Sequence, residues 1–185
     1  MSLPFGLLGL LKYQDSTGYE LTKMFEYSLN NFWHAQSSQI YRELNRMEEK
    51  GWVTSRSVVQ DKRPNKRVYS ITGEGLSALQ EWLTEAPPPF ENQHEPLLMR
   101  VFFGADAPEV TLELLKTIRD MCLVDLEELP KKAIPSINRY ASALPEGKKH
   151  QLYWEMTLNY GIAQIRLTAE WAQQCIEKIE KELRT

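Results

Sequence analysis

In the run QSSQIYRELNRMEEKG, from Gln36 to Gly51, Ser38, Arg42, Asn45 and Glu49 recur at steps of four, three and four residues, with Tyr41 and Arg46 on the flanks. Apart from Glu49, side chains of these types donate to phosphate oxygens and read base edges, so the chemistry on offer is recognition of a nucleic acid. A second group lies close behind. Lys62, Arg63, Lys66 and Arg67 cluster around the turn signal Pro64-Asn65, where a loop tip would carry them. Glu49 departs from an otherwise basic or neutral face. Two readings of it stay open: it turns away from phosphate, or it accepts from a cytosine amine.

These residues need a helix and a ribbon to hold them. Ile40, Leu44 and Met47 stand at i, i+4 and i+7, which predicts a helix with one buried face opposite the polar one. Gly51 ends it. WVTSRSVVQ then reads as one strand and RVYSI as a second, joined by DKRPNK. A helix followed by a two-stranded ribbon with a basic tip is the layout of a winged helix-turn-helix. In that layout the helix enters the major groove and the ribbon lies along the backbone.

Charge is distributed to match. The net charge is −3, too acidic for a protein coated in nucleic acid. Yet residues 36–67 hold eight Lys/Arg against four Asp/Glu, a local +4 that leaves −7 for the rest. An acidic body with one basic patch suits local contact with DNA. A solvated face would also account for charge alone.

Around this stretch the sequence predicts a small helical core. Residues 3–12 form an apolar helix with Pro4 in its first turn. Thr17 and Glu20 form a capping box, opening a helix that buries Leu21, Phe25, Leu29 and Phe32. Thr72 caps a fourth helix with Leu76, Leu79 and Trp82 inward, although Gly73 and Gly75 weaken its first turn. The triple proline after Ala86 is stiff and extended, which divides the chain into residues 1–85 and 86–185.

The runs GYEL (18–21), IYRELNRMEEKGWV (40–53) and VYSITGEG (68–75) resemble the PadR family of transcriptional regulators. The longer branch of that family, which includes virulence-gene activators, is the nearer likeness. The strong match covers roughly Leu7 to Leu83. The resemblance implies DNA contacts at Ser38, Tyr41, Arg42 and Asn45 on the helix and at Lys62, Arg63 and Lys66 on the wing. Tyr19 is a further candidate for a phosphate. Arg46 and Arg67 complete the basic set. A regulator of this kind would occupy a promoter as a homodimer on an inverted repeat of double-stranded DNA. Occupancy implies repression, although the longer branch also contains activators. A winged-helix module used only for protein contacts is the alternative.

The second half reads as all-α. EPLLMRVFFG is a short helix ending at Gly104. Pro108 opens a longer one through Leu129, with Leu115, Ile118, Cys122, Leu126 and Leu129 on one stripe, which Pro130 and Pro135 should kink or split. The last helix, about His150 to Leu183, carries Leu158, Ile162, Ile165, Ala169, Ala172, Ile176, Ile179 and Leu183 in alternating steps of four and three. That heptad seam predicts a dimerisation helix. The expected fold is thus mainly α: an N-terminal winged helix-turn-helix with a two-stranded β wing, then a helical dimerisation domain.

The chain has five Trp. Trp33, Phe102, Tyr153, Trp154 and Trp171 could line a pocket for a small aromatic effector, as the resemblance implies, or serve as packing. No catalytic constellation, metal-ligand spacing or cofactor loop is present. Cys122 and Cys175 read as reduced thiols. The apolar runs are too short to span a membrane, and a cytoplasmic location is expected.

Overall fold

The computed structural model describes residues 2–29, 32–58, 66–86 and 95–184. The chain divides into two compact units, Met1–Pro87 and Pro88–Thr185. Lys62, Arg63 and the triple proline lie outside the described residues.

In the first unit, α1 (Leu3–Tyr13), α2 (Gly18–Ser28), α3 (Ser37–Glu49) and α4 (Gly73–Thr84) surround a small sheet. Ile40, Leu44 and Met47 of α3 are fully buried, as their spacing requires, among Leu7, Leu8 and Leu11 of α1 and Leu21 and Phe25 of α2. Each such side chain contributes about 1.5–3 kcal/mol by leaving water. The capping box of α2 is formed: Glu20 N donates to Thr17 Oγ1 at 3.2 Å, and Thr17 N donates to Glu20 Oε2 at 2.8 Å.

Among the described residues, the two-stranded wing is joined by a third, short strand. β2 (Val53–Val58) and β3 (Lys66–Ile71) pair antiparallel with Ser55 opposite Tyr69 and Ser57 opposite Arg67. The two-residue β1 (Ser16–Thr17) adds to the other edge of β3. A pair of residues before a helix cap carries no strand pattern in sequence. Three core expectations also need correcting. Phe32, Leu76 and Trp82 are exposed, Trp82 while stacking flat on Phe5 with centroids 5.0 Å apart. Leu79 alone carries the buried face of α4 deep into this core.

In the second unit, α5 (Pro96–Phe102) and a 3-10 turn (Gly104–Asp106) precede two long helices, α6 (Pro108–Ser142) and α7 (Gly147–Leu183). They are antiparallel: Lys116 pairs with Glu180, Arg119 with Gln173, and Asn138 with Gln151. α6 is not split by its prolines, and helix continues through both Pro130 and Pro135. An interior proline costs about 3 kcal/mol. Ala133 between the prolines and Ala141 beyond them are both buried.

The heptad seam of α7 is also reassigned. Leu158, Ala169, Ala172 and Ile176 are buried within the single chain. Ala172, Ile176 and the half-buried Ile179 pack with Leu112 and Leu115 of α6. Ile162 and Ile165 are half-buried, and Leu183 is exposed. A seven-residue repeat shows that a helix has a partner. It does not show whether the partner belongs to the same chain. Besides Leu183, the large apolar residues of α7 left exposed are Leu152, Tyr153, Met156, Tyr160 and Leu167. Among the described residues, no helix is long and apolar enough to cross a membrane.

Candidate nucleic-acid interface

The buried stripe of α3 turns its other side to solvent. Ser38, Tyr41, Arg42, Asn45, Arg46 and Glu49 are all exposed there. Arg42 Nε donates back to the Ser38 carbonyl at 3.3 Å, which lays the guanidinium along the first turns. Arg46 is paired with Glu43 at 3.4 Å. Tyr41 lies against the start of α2, where a Cβ on Gly18 would come 2.3 Å from its Cε1. The glycine of GYEL is therefore a close-approach residue that lets α3 and α2 meet. Tyr19, next along, is 66% exposed.

Behind α3 the chain turns at Gly51 with φ +73°, the left-handed region that favours glycine. Three hydrogen bonds then lock the corner. Trp52 N donates to Met47 O at 2.9 Å, Thr72 N donates to Trp52 O at 3.0 Å, and Thr72 Oγ1 donates to Gly51 O at 2.6 Å. This fixes the end of α3, the root of the ribbon and the cap of α4 in one place.

The ribbon is tied to α3 by a network that spacing alone does not reveal. Arg67 Nη2 forms an ion pair with Glu48 Oε2, and Arg67 Nε donates to Ser55 Oγ at 2.8 Å. Ser55 Oγ in turn donates to Glu48 Oε1 at 2.6 Å. Arg67 Nη1 also donates to Asn45 Oδ1 at 3.5 Å, and the guanidinium lies 5.3 Å from the Tyr69 ring centroid. Burial pushes the Tyr69 hydroxyl above the usual tyrosine range, opposed by the neighbouring Arg67 charge. Ser55 and Glu48 are thus site residues that the sequence reading missed. Their only sequence signal would have been the strand register that places Ser55 beside Tyr69. Glu49, in contrast, is simply exposed. Lys66, at the start of β3, is exposed, and Arg56 on β2 pairs with Asp15 at 3.3 Å.

Of the proposed effector residues, Trp33 belongs to the first unit, and the other four, which belong to the second, do not form one cluster there. Phe102 and Tyr153 are 80% and 59% exposed, and Trp171 packs on the α6–α7 core. Trp154 stacks near His150. Seventeen residues of one helix separate Trp154 from Trp171, a rise of about 25 Å, too far for one small ligand to touch both in one chain. The second unit also has an open groove of about 450 Å³ lined by Arg119, Leu123, Ala169, Glu170, Gln173 and Gln174. None of the five aromatics lines it. Among the described residues no group of acidic, His and Cys side chains could hold a metal.

A polar helix face presented beside a β ribbon, over a core of three helices, defines a DNA-binding winged helix-turn-helix protein. The model of the PadR-like family of transcriptional regulators matches residues 7–81, and that of the virulence activator alpha C-terminal region matches residues 94–180. The Vibrio cholerae virulence activator AphA is 30% identical, with 98% of this chain and 99% of that chain covered at a TM-score of 0.68. The chain belongs to the PadR-like family of transcriptional regulators, which is regulatory and not enzymatic.

A probable transcriptional regulator of Mycobacterium tuberculosis is 44% identical over 85 residues, covering 46% of this chain and 45% of that protein. The negative transcriptional regulator PadR of Bacillus subtilis is 33% identical over 101 residues, covering 55% of this chain and 56% of that protein. The alignments thus span about half the length of these curated relatives. The Bacillus subtilis PadR structure with operator DNA has the same fold, with 22% identity, 97% and 99% coverage and a TM-score of 0.77. That protein has also been solved in complex with p-coumaric acid.

Proposed function

We propose that the chain binds operator DNA as a homodimer, one α3 per half-site, and represses transcription by occupying a promoter. The observation that carries this is the two-faced α3. Ile40, Leu44 and Met47 have no exposed surface, while Ser38, Tyr41, Arg42 and Asn45 face solvent beside the ribbon. The polar side chains lie outside the buried core, and they are the types that read base edges and grip phosphates. The Bacillus subtilis relative in complex with operator DNA supports the same reading.

Dimerisation is proposed through the exposed apolar residues of α7, Tyr153, Met156, Tyr160 and Leu167, which recur at three, four and seven residues. A small aromatic compound is proposed as the effector, supported by the p-coumaric acid bound to the Bacillus subtilis relative and by the exposed Phe102 and Tyr153.

A gel shift with the full chain on the DNA upstream of its own gene tests the main reading. A discrete complex that survives competitor DNA supports it. Absence of any complex at micromolar protein would favour a module for protein contacts. Titrating phenolic acids while following Trp emission tests the effector, and a flat response with no release of DNA removes it.

A further inference from the structure

Resting on the reading of α3 as the groove-entering helix, we infer that Arg67 is a positioning residue for Asn45, and that it fixes Asn45 as a donor-only reader of one base pair. Arg67 is not itself a DNA contact in this arrangement.

Arg67 is a cation near a ribbon tip, so charge alone assigns it to a phosphate. The structure spends its guanidinium otherwise. Nη2 is ion-paired with Glu48, Nε is bonded to Ser55 at 2.8 Å, and the Tyr69 ring lies beneath. Ser55 closes the ring of contacts by donating to the other Glu48 oxygen at 2.6 Å. Two elements, the last turn of α3 and the β2–β3 ribbon, are joined by Arg67 and by the Ser55–Glu48 bond beside it. Moving Arg67 to a phosphate would leave the Glu48 carboxylate, half-buried with 30% of its side chain exposed, without its counter-ion.

The remaining Nη1 faces Asn45 at 3.5 Å. A guanidinium has donors and no acceptor, so the Asn45 atom facing it must be the carbonyl oxygen. The amide nitrogen then lies on the other side of Cγ. Among the described residues it donates to no group, and Asn45 is exposed. An unconstrained Asn reads adenine with both atoms, accepting from N6 and donating to N7. With Oδ1 held toward the ribbon, Asn45 presents hydrogens alone. It should select acceptor edges, guanine O6/N7 or thymine O4, and disfavour adenine.

The test is a selection from random duplexes with the full-length wild-type chain. Affinities for the selected site and its single-base variants are then measured over a range of salt. The variants are Asn45→Ala, Arg67→Ala, the double variant, and Glu48→Gln, which removes the anchor and keeps the guanidinium. Thermal melts establish that each is folded. At the base pair that Asn45→Ala flattens, wild type should prefer guanine or thymine. Arg67→Ala and Glu48→Gln should weaken that same preference, on the order of tenfold, and admit adenine. Preferences elsewhere should stay. The salt slope of Arg67→Ala should equal that of wild type, and in the Asn45→Ala background the second change should add nothing.

A slope lowered by about 0.9, the amount expected for one lost phosphate, with all sequences weakened alike, would overturn the proposal and return Arg67 to the phosphate contacts. Adenine as the wild-type choice at the Asn45 base pair would overturn it as well. A wild-type chain that selects no sequence would overturn the underlying reading of α3 before any variant is compared.

Discussion

Gly73 and Gly75 stand two residues apart in the first turn of α4, and the structure gives them opposite roles. A Cβ on Gly73 would meet nothing within 4 Å. A Cβ on Gly75 would lie 2.1 Å from the Trp52 carbonyl oxygen and 3.0 Å from Ile71 Cγ1. A tolerable carbon–oxygen contact is about 3.3 Å, so more than an ångström must be made up. The obstacle is backbone. Trp52 O already accepts from Thr72 N at 3.0 Å, and Trp52 N is bonded to Met47 O at the end of α3.

Both substitutions to Ala gain helix propensity, up to ~1 kcal/mol each. That common term cancels when the two variants are compared. What remains is the overpacking at Gly75, roughly 1–3 kcal/mol. Gly73→Ala should therefore be as stable as wild type or more so, and Gly75→Ala should lie 1–3 kcal/mol below it on the overpacking scale, about 1–3. Urea unfolding of the full chain, followed by Trp emission, measures the difference. Because Trp52 anchors the end of α3, Gly75→Ala should also weaken DNA binding while Gly73→Ala does not. Equal stability of the two variants would refute the close approach and the argument built on it.

Further outcomes follow from other parts of the structure. DNA affinity should fall steeply with salt, with a log–log slope near −5 if a dimer neutralises about six phosphates. Lys66→Ala should flatten that slope by about 0.9 per protomer contact, and an unchanged slope removes Lys66 from the interface. Met156→Glu with Leu167→Glu places charge on residues 55% and 62% exposed in the single chain. Such a variant should stay folded and sediment as a monomer, and a persisting dimer would put the interface elsewhere. Thr17→Ala removes the cap of α2 and should cost about 1 kcal/mol, read by thermal unfolding. Glu20 is held below the usual carboxylate range, first by the Thr17 backbone N–H and then by its hydroxyl. A depressed carboxylate stabilises above its unfolded pKa and loses that contribution as pH falls through the folded one. Glu20→Gln should therefore reduce the loss of stability on the acid side, and an unchanged acid limb would show that the bond is not formed in solution.

What the sequence discloses is what is local. The two faces of α3 follow from Ile40, Leu44 and Met47 within eight residues, and the caps of α2 and α4 from Thr17, Glu20 and Thr72. What it conceals depends on where distant segments land. The seam of α7 correctly implied a partner helix, but its period is indifferent to which chain supplies one. The clue was elsewhere, in the four residues between α6 and α7, since so short a connection makes the two helices antiparallel neighbours. The same limit applies to charge. Residues 36–67 sum to +4, as if every cation faced outward. In the structure Arg46 is paired with Glu43, Arg56 with Asp15 and Arg67 with Glu48, while Lys50 lies over the Trp52 ring. Arg42 and Lys66 are the described cations of that stretch with neither a carboxylate at ion-pair distance nor a ring beneath them. Arg46, Arg56 and Arg67 are each engaged by a carboxylate of their own chain, so their charge is partly offset where the sum counts it in full.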